Sequence, residues 1–598
     1  MAINLVELRA LPLDPEVEDE LVRFERAVEQ YLAGEIDDDV FRVVRLNQGV
    51  YGQRQGGHNQ MLRVKIPYGK VTPDQLEMLG YIAQEFSRGW GHLTTRQNVQ
   101  FHFVPLERTV EALRLLATVG LTSREACGDT VRNVAGCHLA GACPTEVLDI
   151  TPWAEATARL FLRNPIAQRL PRKFKINFSG CATDCGQAMF NDVGVIAVNR
   201  ALDDASDGQR RVEPGFKVFL GGGLGANPHP AQAYEEFTSR EDLLPTIEAI
   251  LRTFDHYGNR DNKLRARMKW LVDTMGIDEV RERITKERKF LRASVTWPGG
   301  LPETVLRDGD RPAGTGTDIS ADTASPVTFS GLEPFPRWEL ANVVRGRANG
   351  SVSAYAWCRL GDITTQQFAG LAQIQRDFDT DIRITNRQNF ALRDLDDGQL
   401  GDLWKRLDEL DMAEAGAELA RDVVSCPGAD TCNLAVTQSR GLAADIGEAL
   451  ETAGLAEVGG VKINISGCTN SCGQHHIADI GFLGLERRAH GRAAPGYQML
   501  LGGRLGNMEI GFGEKATKLP AKVASQAVVR VVGRFADERS AGETFSQWLD
   551  RSGGAAAVGT TLKELDKFPT PEEAPDYFVD FDETGPYVAD VGESECAT

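Results

Sequence analysis

Positive charge is in deficit in this 598-residue chain: 66 Lys and Arg stand against 85 Asp and Glu, a formal net charge of −19 at pH 7. A phosphate backbone would be repelled over most of such a surface, which excludes a general nucleic-acid binder and leaves room only for a local basic patch. Long apolar runs are missing too. Nowhere do eighteen apolar residues stand together, so no membrane-spanning helix is expected. The opening MAINLVELRALPLDPEVEDE has no basic segment followed by an apolar run, so no secretory signal is read and a cytoplasmic location is expected. There is no P-loop, no dinucleotide fingerprint followed by an acidic residue at the right distance, and no length left for a flavin domain. GGGLG at 221–225 lacks the G-x-G-x-x-G spacing, and Gly221, Gly222 and Gly223 suit close backbone approach instead. The composition, 42% hydrophobic and 25% charged, is that of a globular protein with several cores.

Eleven cysteines in a reducing compartment are better explained as ligands than as bridges, and eight fall into two matched sets. Cys426 and Cys432 lie in SCPGADTC, and Cys468 and Cys472 in VKINISGCTNSCGQHH. Earlier, Cys137 and Cys143 lie in AGCHLAGACPT, and Cys181 and Cys185 in KFKINFSGCATDCGQAM. Two close pairs of thiolates, each on a tight turn, suit a tetrahedral metal or an iron–sulfur cube. Structural zinc fits less well, because the C-x5-C gap is wide for it, and disulfides fit worst. A purely electron-carrying iron–sulfur protein would not need a chain of this size. Cys127, Cys358 and Cys596 stand outside the sets.

The rest of the chain is doubled as well. Thr72, Pro73 and Gln75 mark a helix start, followed by Leu76, Leu79, Ile82 and Phe86 at helical spacing. The strand after it alternates, with Val99, Phe101 and Phe103 on one face and Arg96, Asn98, Gln100 and His102 on the other. Residues 361–393 repeat this unit, with Phe368, Leu371, Ile374 and Phe378 on the helix and Arg387, Asn389 and Arg393 along a strand face. Gly69 pairs with Gly361 at an offset of 292, and Cys181 with Cys468 at 287, so a whole two-part module is duplicated. The expected divisions are 1–57, a lead-in helical over 15–34 and irregular over 35–60; 58–118 and 119–296, the two parts of the first module; 297–335, a Pro-, Gly- and Ser-rich linker; 336–410 and 411–565, the second module; and 566–598, an acidic tail expected to be extended or disordered.

On TTRQNVQFHF, RNVAGC, LPRKFK, FLGGGLG, SCPGADTC and SGCTNSCGQ the sequence resembles the sirohaem and [4Fe–4S] sulfite/nitrite reductase family from about residue 40 to 560. The resemblance implies an α+β, internally duplicated fold: two ferredoxin-like half-domains plus two sirohaem- and cluster-binding domains about a pseudo-twofold axis. It implies that Cys426, Cys432, Cys468 and Cys472 hold a cluster, with Cys472 bridging to the sirohaem iron. It maps substrate residues onto Arg63, Arg132, Lys173 and Lys175, and cofactor contacts onto Arg96, Gln100, His102, Gly221–Gly223 and Asn470. Chemically, six-electron reduction of a small oxyanion needs fixed cations to hold it and lysines to relay protons.

The family builds its site between halves, the first supplying cations and the second the cluster. A second site is thereby generated from the first-half cysteines and second-half residues. Arg96, Arg132 and Lys175 are answered there by Arg387, Arg421 and Lys462, but Arg63 falls opposite Tyr355 and Lys173 opposite Gly460. Cys137, Cys143, Cys181 and Cys185 are therefore expected to hold a second cluster serving structure or electron storage at a silent site, with or without an inactive tetrapyrrole beside it, an arrangement resembling fused subunits of dissimilatory sulfite reductase. The function expected is reduction of sulfite to sulfide, with electrons from a ferredoxin or a flavoprotein. The rivals are a nitrite reductase, a dissimilatory or sulfur-oxidising enzyme, and a non-catalytic iron–sulfur scaffold. Lys173-Phe-Lys175 tilts the reading toward sulfite by family analogy.

Overall fold

The computed structural model describes residues 11–202, 212–294, 331–346 and 350–592. The expected helix starts are realised twice. Thr72 and Gln75 close a capping box on the helix Pro73–Phe86, and Thr364 and Gln367 close the same box on Thr365–Phe378. The apolar stripes of both helices face each other within one shared core that holds Leu76, Leu79, Ile82, Phe368, Leu371 and Ile374. Gly80 makes this approach feasible, since a Cβ there would stand 3.0 Å from the Cβ of Phe368.

Each half lends the other a strand. One sheet runs Val50–Gly52, Asn59–Val64, Val99–Pro105, Trp90–Leu93 and, at its edge, Asp362–Thr364 from the second half. Its counterpart runs Val343–Arg345, Ser351–Ala356, Phe390–Asp396, Asp381–Ile384 and Lys70–Val71 from the first half. Two further five-stranded sheets carry the cysteine loops. One contains Ala135–Gly136, Ile176–Ser179, Val193–Ala201, Val212–Leu220 and Gln232–Thr238, and the other Val424–Ser425, Ile463–Ser466, Ile480–Ala489, Arg492–Leu501 and Glu514–Pro520, each parallel over its first three strands. The fold is the duplicated α+β architecture.

Three expectations need correction. Residues 35–60 are not irregular: Asp37 caps a helix Asp38–Asn47, and the strand Val50–Gly52 follows. The heavy charge of that stretch hides Phe41, which stacks on Tyr31 at 4.3 Å and is fully buried. Phe103 does not share the face of Val99 and Phe101. Its φ of 60° breaks the alternation at a bulge, and the half-buried ring lies under the Arg88 guanidinium at 3.4 Å. The tail is not loose through residue 592. Phe578, Asp580 and Tyr587 are buried, Asp580 accepts from the Gln438 N–H at 3.0 Å, the Tyr587 hydroxyl donates to Val436 O at 2.9 Å, and the Gly592 N–H donates to Asn433 O at 2.8 Å. This strap lies on the Cys426–Ser439 loop, which Arg54 of the lead-in also reaches, donating to Ala429 O at 3.2 Å and Ala435 O at 3.1 Å, and to Asp590 O. Most of the expected linker, and Cys596, lie outside the described residues; the helix Pro334–Asn342 begins within the linker's last two positions.

Candidate active site

Arg63, Arg96 and Arg132 of the first half donate to backbone carbonyls and side-chain amides. Arg132 donates to Ala126 O at 2.8 Å and to Gly128 O at 2.8 and 3.2 Å. Arg63 projects from Asn59–Val64, lies over the Tyr51 ring at 5.0 Å, and donates to Ala126 O at 3.3 Å and to the Gln100 carbonyl at 2.7 and 2.9 Å. Arg96 donates to Asn177 Oδ1 at 2.9 Å, Asn191 Oδ1 at 3.1 Å and Asn133 O at 2.6 Å, while its Nε is buried without a protein partner. Burial pulls the Arg96 guanidinium down to about 9 against the pull of Asp192, and Arg132, Arg267 and Arg63 add to the descent. Lys175, half-buried, is pushed well below its ordinary value by burial first and then by Arg96, Arg267 and Lys173, while Cys472 pulls it back. Lys173 is half-buried beside it. Asp192 is saturated by Arg267 at 2.7 and 3.0 Å and by the Lys175 backbone N–H at 2.9 Å. A dense set of positive charge of this kind is chemically suited to an anion.

The second-half cysteine loop docks on this set. The Thr95 hydroxyl, next to Arg96, donates to Cys472 O at 3.0 Å; Gln474 donates to Gln187 Oε1 at 2.7 Å; and His476 meets Gly225 O at 3.0 Å. Cys472 is exposed, whereas Cys426, Cys432 and Cys468 are half-buried. Cys426 Sγ accepts from the Gly467 N–H at 3.4 Å, and the Asn470 backbone N–H donates to Cys468. Burial first and then Cys472 raise the Cys426, Cys432 and Cys468 thiols, Cys432 to about 12. Buried polar atoms face the same region without protein partners: Arg96 Nε, Asn98 Oδ1, Asn133 Oδ1 and both His102 ring nitrogens. Four thiols beside guanidiniums, with Arg96 Nε left as a buried donor, fit a cluster joined to a polyanionic tetrapyrrole.

Several expected cofactor contacts have other work. Gln100 orients Arg63. His102, buried against Trp90 at 5.7 Å, keeps its nitrogens free of protein partners. The glycine turn is a correction: the N–H groups of Gly221, Gly222 and Gly223 already donate to Asp192 O, Asn191 O and His229 O, so none remains for a cofactor. A Cβ on Gly222 would come within 2.6–2.7 Å of the Phe190–Asn191 backbone, so this glycine seats the segment that holds Arg96. Asn470 is exposed and acts through its backbone. Cys127 sits in a small apolar cluster with Leu46 and Ala126 beside Tyr51, and Cys358 is buried in the large core. Sequence reasoning missed Asn133, Asn177, Asn191 and Arg267. Asn177 was within reach, since KINFSG and KINISG repeat it as Asn464 and both amides donate to a loop carbonyl, Gly186 O and Gly473 O.

At the pseudo-equivalent site every retained cation meets carboxylate. Arg387 pairs with Asp422 at 2.9 Å and Glu418 at 3.5 Å, Arg421 with Glu414 at 2.8 Å and Glu451 at 2.5 Å, and Lys462 with Glu418 at 3.8 Å. The strand register fixes the exchange of residues: Arg63 stands opposite Gln100, and Tyr355 opposite Ala391. Cys185 O accepts from Asn386 at 3.0 Å, mirroring Cys472 and Thr95.

The chain matches the model of the nitrite and sulphite reductase 4Fe-4S domain over residues 127–290 and 416–557, and that of the nitrite/sulfite reductase ferredoxin-like half domain over 51–119 and 347–410. It is 31% identical over 529 residues to a sulfite reductase [ferredoxin] of Mycobacterium tuberculosis, covering 84% of this chain and 87% of the relative. It is 29% identical over 540 residues to an assimilatory ferredoxin-dependent nitrite reductase of Haloferax mediterranei, covering 85% of each. The solved structure of the Mycobacterium tuberculosis NirA protein superposes with a TM-score of 0.72 at 29% identity, over 90% of this chain and 97% of that one. Both domain models matched in duplicate, with relatives aligned over most of the chain, make it a member of the nitrite and sulphite reductase family.

Proposed function

We propose that the chain reduces sulfite to sulfide at the junction of the first-half cations and the second-half cysteine loop, drawing electrons from a ferredoxin. The observation that carries this is the gathering of Arg63, Arg96, Arg132 and Lys175 beside the exposed Cys472: guanidiniums anchored on backbone carbonyls and side-chain amides are fixed in advance of an incoming anion. Cys426, Cys432, Cys468 and Cys472 would hold the cluster and Arg96 the tetrapyrrole carboxylates. When bound, these groups supply the electrons and the metal that takes the substrate's central atom. Arg63 and Arg132, fixed by Gln100, Ala126 and Gly128, hold the oxygens of the anion. Lys175, which gives up its proton more readily than an exposed lysine, hands protons to departing oxygen, and Lys173 replenishes the local positive charge.

The related enzymes carry both names, and nitrite reduction is the second reading because the Haloferax relative is nitrite-directed. Turnover of sulfite and nitrite side by side, with reduced ferredoxin and with an artificial reductant, decides: a larger kcat/KM for sulfite is expected, and a larger one for nitrite reverses the assignment. A colourless purified protein without visible haem absorption would return it to the scaffold class.

A further inference from the structure

We infer that Cys137, Cys143, Cys181 and Cys185 hold a second [4Fe–4S] cluster, buried and with no tetrapyrrole against it. The two loops that carry these cysteines follow Ala135–Gly136 and Ile176–Ser179, neighbouring parallel strands, as the second-half loops follow Val424–Ser425 and Ile463–Ser466. They bring all four sulfurs into one pocket. Cys143 faces Cys181, Cys137 faces Cys185, and the Thr145 hydroxyl stands 3.4 Å from Cys143 Sγ and 3.7 Å from Cys181 Sγ. The loops are made rigid from behind. Glu146 accepts from the Gly141 N–H at 2.7 Å, and Asp184 bonds the Ser179 hydroxyl at 2.5 Å and the Ala188 N–H at 2.7 Å. Thr183 donates its N–H to Cys181. Four cysteines from two loops are the ligand set of a cubane.

The side of this pocket that would receive a tetrapyrrole is closed. Tyr355, in the place of Arg63, is bonded to His138 Nε2 at 2.9 Å, and both side chains are buried. Arg393 occupies the place of His102 and donates to Ala140 O. Arg387, Arg421 and Lys462, the three cations retained from the first-half pattern, are engaged by carboxylates and offer less charge to the acidic periphery of a sirohaem. Cys137, Cys143 and Cys181 are 2–3% exposed, while Cys472 lies open.

The test counts atoms in the purified holoprotein. About eight acid-labile sulfides and about nine irons per chain, with one haem, are expected from two cubanes and one sirohaem. About four sulfides and about five irons overturn the inference, as does a Cys143–Cys181 disulfide found by mass spectrometry of anaerobically purified protein; two haems per chain overturn its second clause. The double variant Cys143→Ser/Cys181→Ser should lose about half of the labile sulfide with the haem spectrum retained, and where that variant does not fold the wild-type count decides. The count is the same whichever anion is reduced, so failure of the sulfite reading leaves it standing.

Discussion

The two halves of this molecule place arginines at matching positions and use them oppositely. Arg132 is wrapped by backbone carbonyls, and its counterpart Arg421 by Glu414 and Glu451. Arg96 is solvated by asparagines, and Arg387 is locked to Asp422 and Glu418. Retaining a cation is therefore not the same as retaining a site. The contrast is clearest at Arg96 and Arg387, since a guanidinium locked to carboxylates has less charge to offer an anion than one held by amides.

The sharpest way to break this comparison is to remove one arginine from each half. Arg132→Ala should lower kcat/KM for the anion by about 10²–10³-fold, the cost of losing one fixed donor to developing charge, with haem content unchanged. Arg421→Ala should stay within about threefold of wild type, since exposed carboxylate partners make its pairs worth only about 0–1 kcal/mol. Equal losses in steady-state assays would make the two sites equivalent.

A smaller effect concerns pH. Lys175 binds its proton less tightly in the folded protein than in the unfolded chain, so its burial costs stability at low pH, and that cost is relieved as pH rises from the folded value toward the ordinary 10.5. Thermal midpoints between pH 7 and 10 should therefore rise for wild type relative to Lys175→Met, with the gap narrowing as pH increases. Lys462→Met, which removes an exposed ammonium, should show no such convergence.

The smallest effect is at the strap. Tyr587→Phe deletes one bond to Val436 O and should cost about 0.5–1.5 kcal/mol in denaturant titrations. The same variant should speed release of iron to a chelator from the second-half loop and leave the first-half set untouched. Loss from both sets at equal rates would show that the strap does not act locally.

Much of this was readable in the sequence because duplication supplies its own alignment. The register that sets Tyr355 opposite Arg63, the two capping boxes and the convergence of each cysteine quartet all follow from local spacing. The carboxylates that pair with Arg387 and Arg421 do not: Glu414, Glu418, Asp422 and Glu451 come from a loop and a helix end whose approach is fixed only by packing. The same holds for Asn133 and Asn191 around Arg96. Gly221–Gly223 misled because glycine reports backbone freedom and not what its N–H meets. The exchanged strands Lys70–Val71 and Asp362–Thr364 are too short for any periodicity to declare.

That exchange gives the molecule a second description. Asp362–Thr364 pairs with Trp90–Leu93, and Lys70–Val71 with Asp381–Ile384, so each half finishes the other's sheet while the two helices share one core. This is the geometry that a strand-swapped homodimer would have if its two subunits were joined into a single polypeptide, each then free to change alone. Symmetry in an oligomer forces both sites to mutate together; covalent joining lifts that constraint. The divergence of Tyr355 from Arg63 is a change that a true twofold dimer could not have made on one side only.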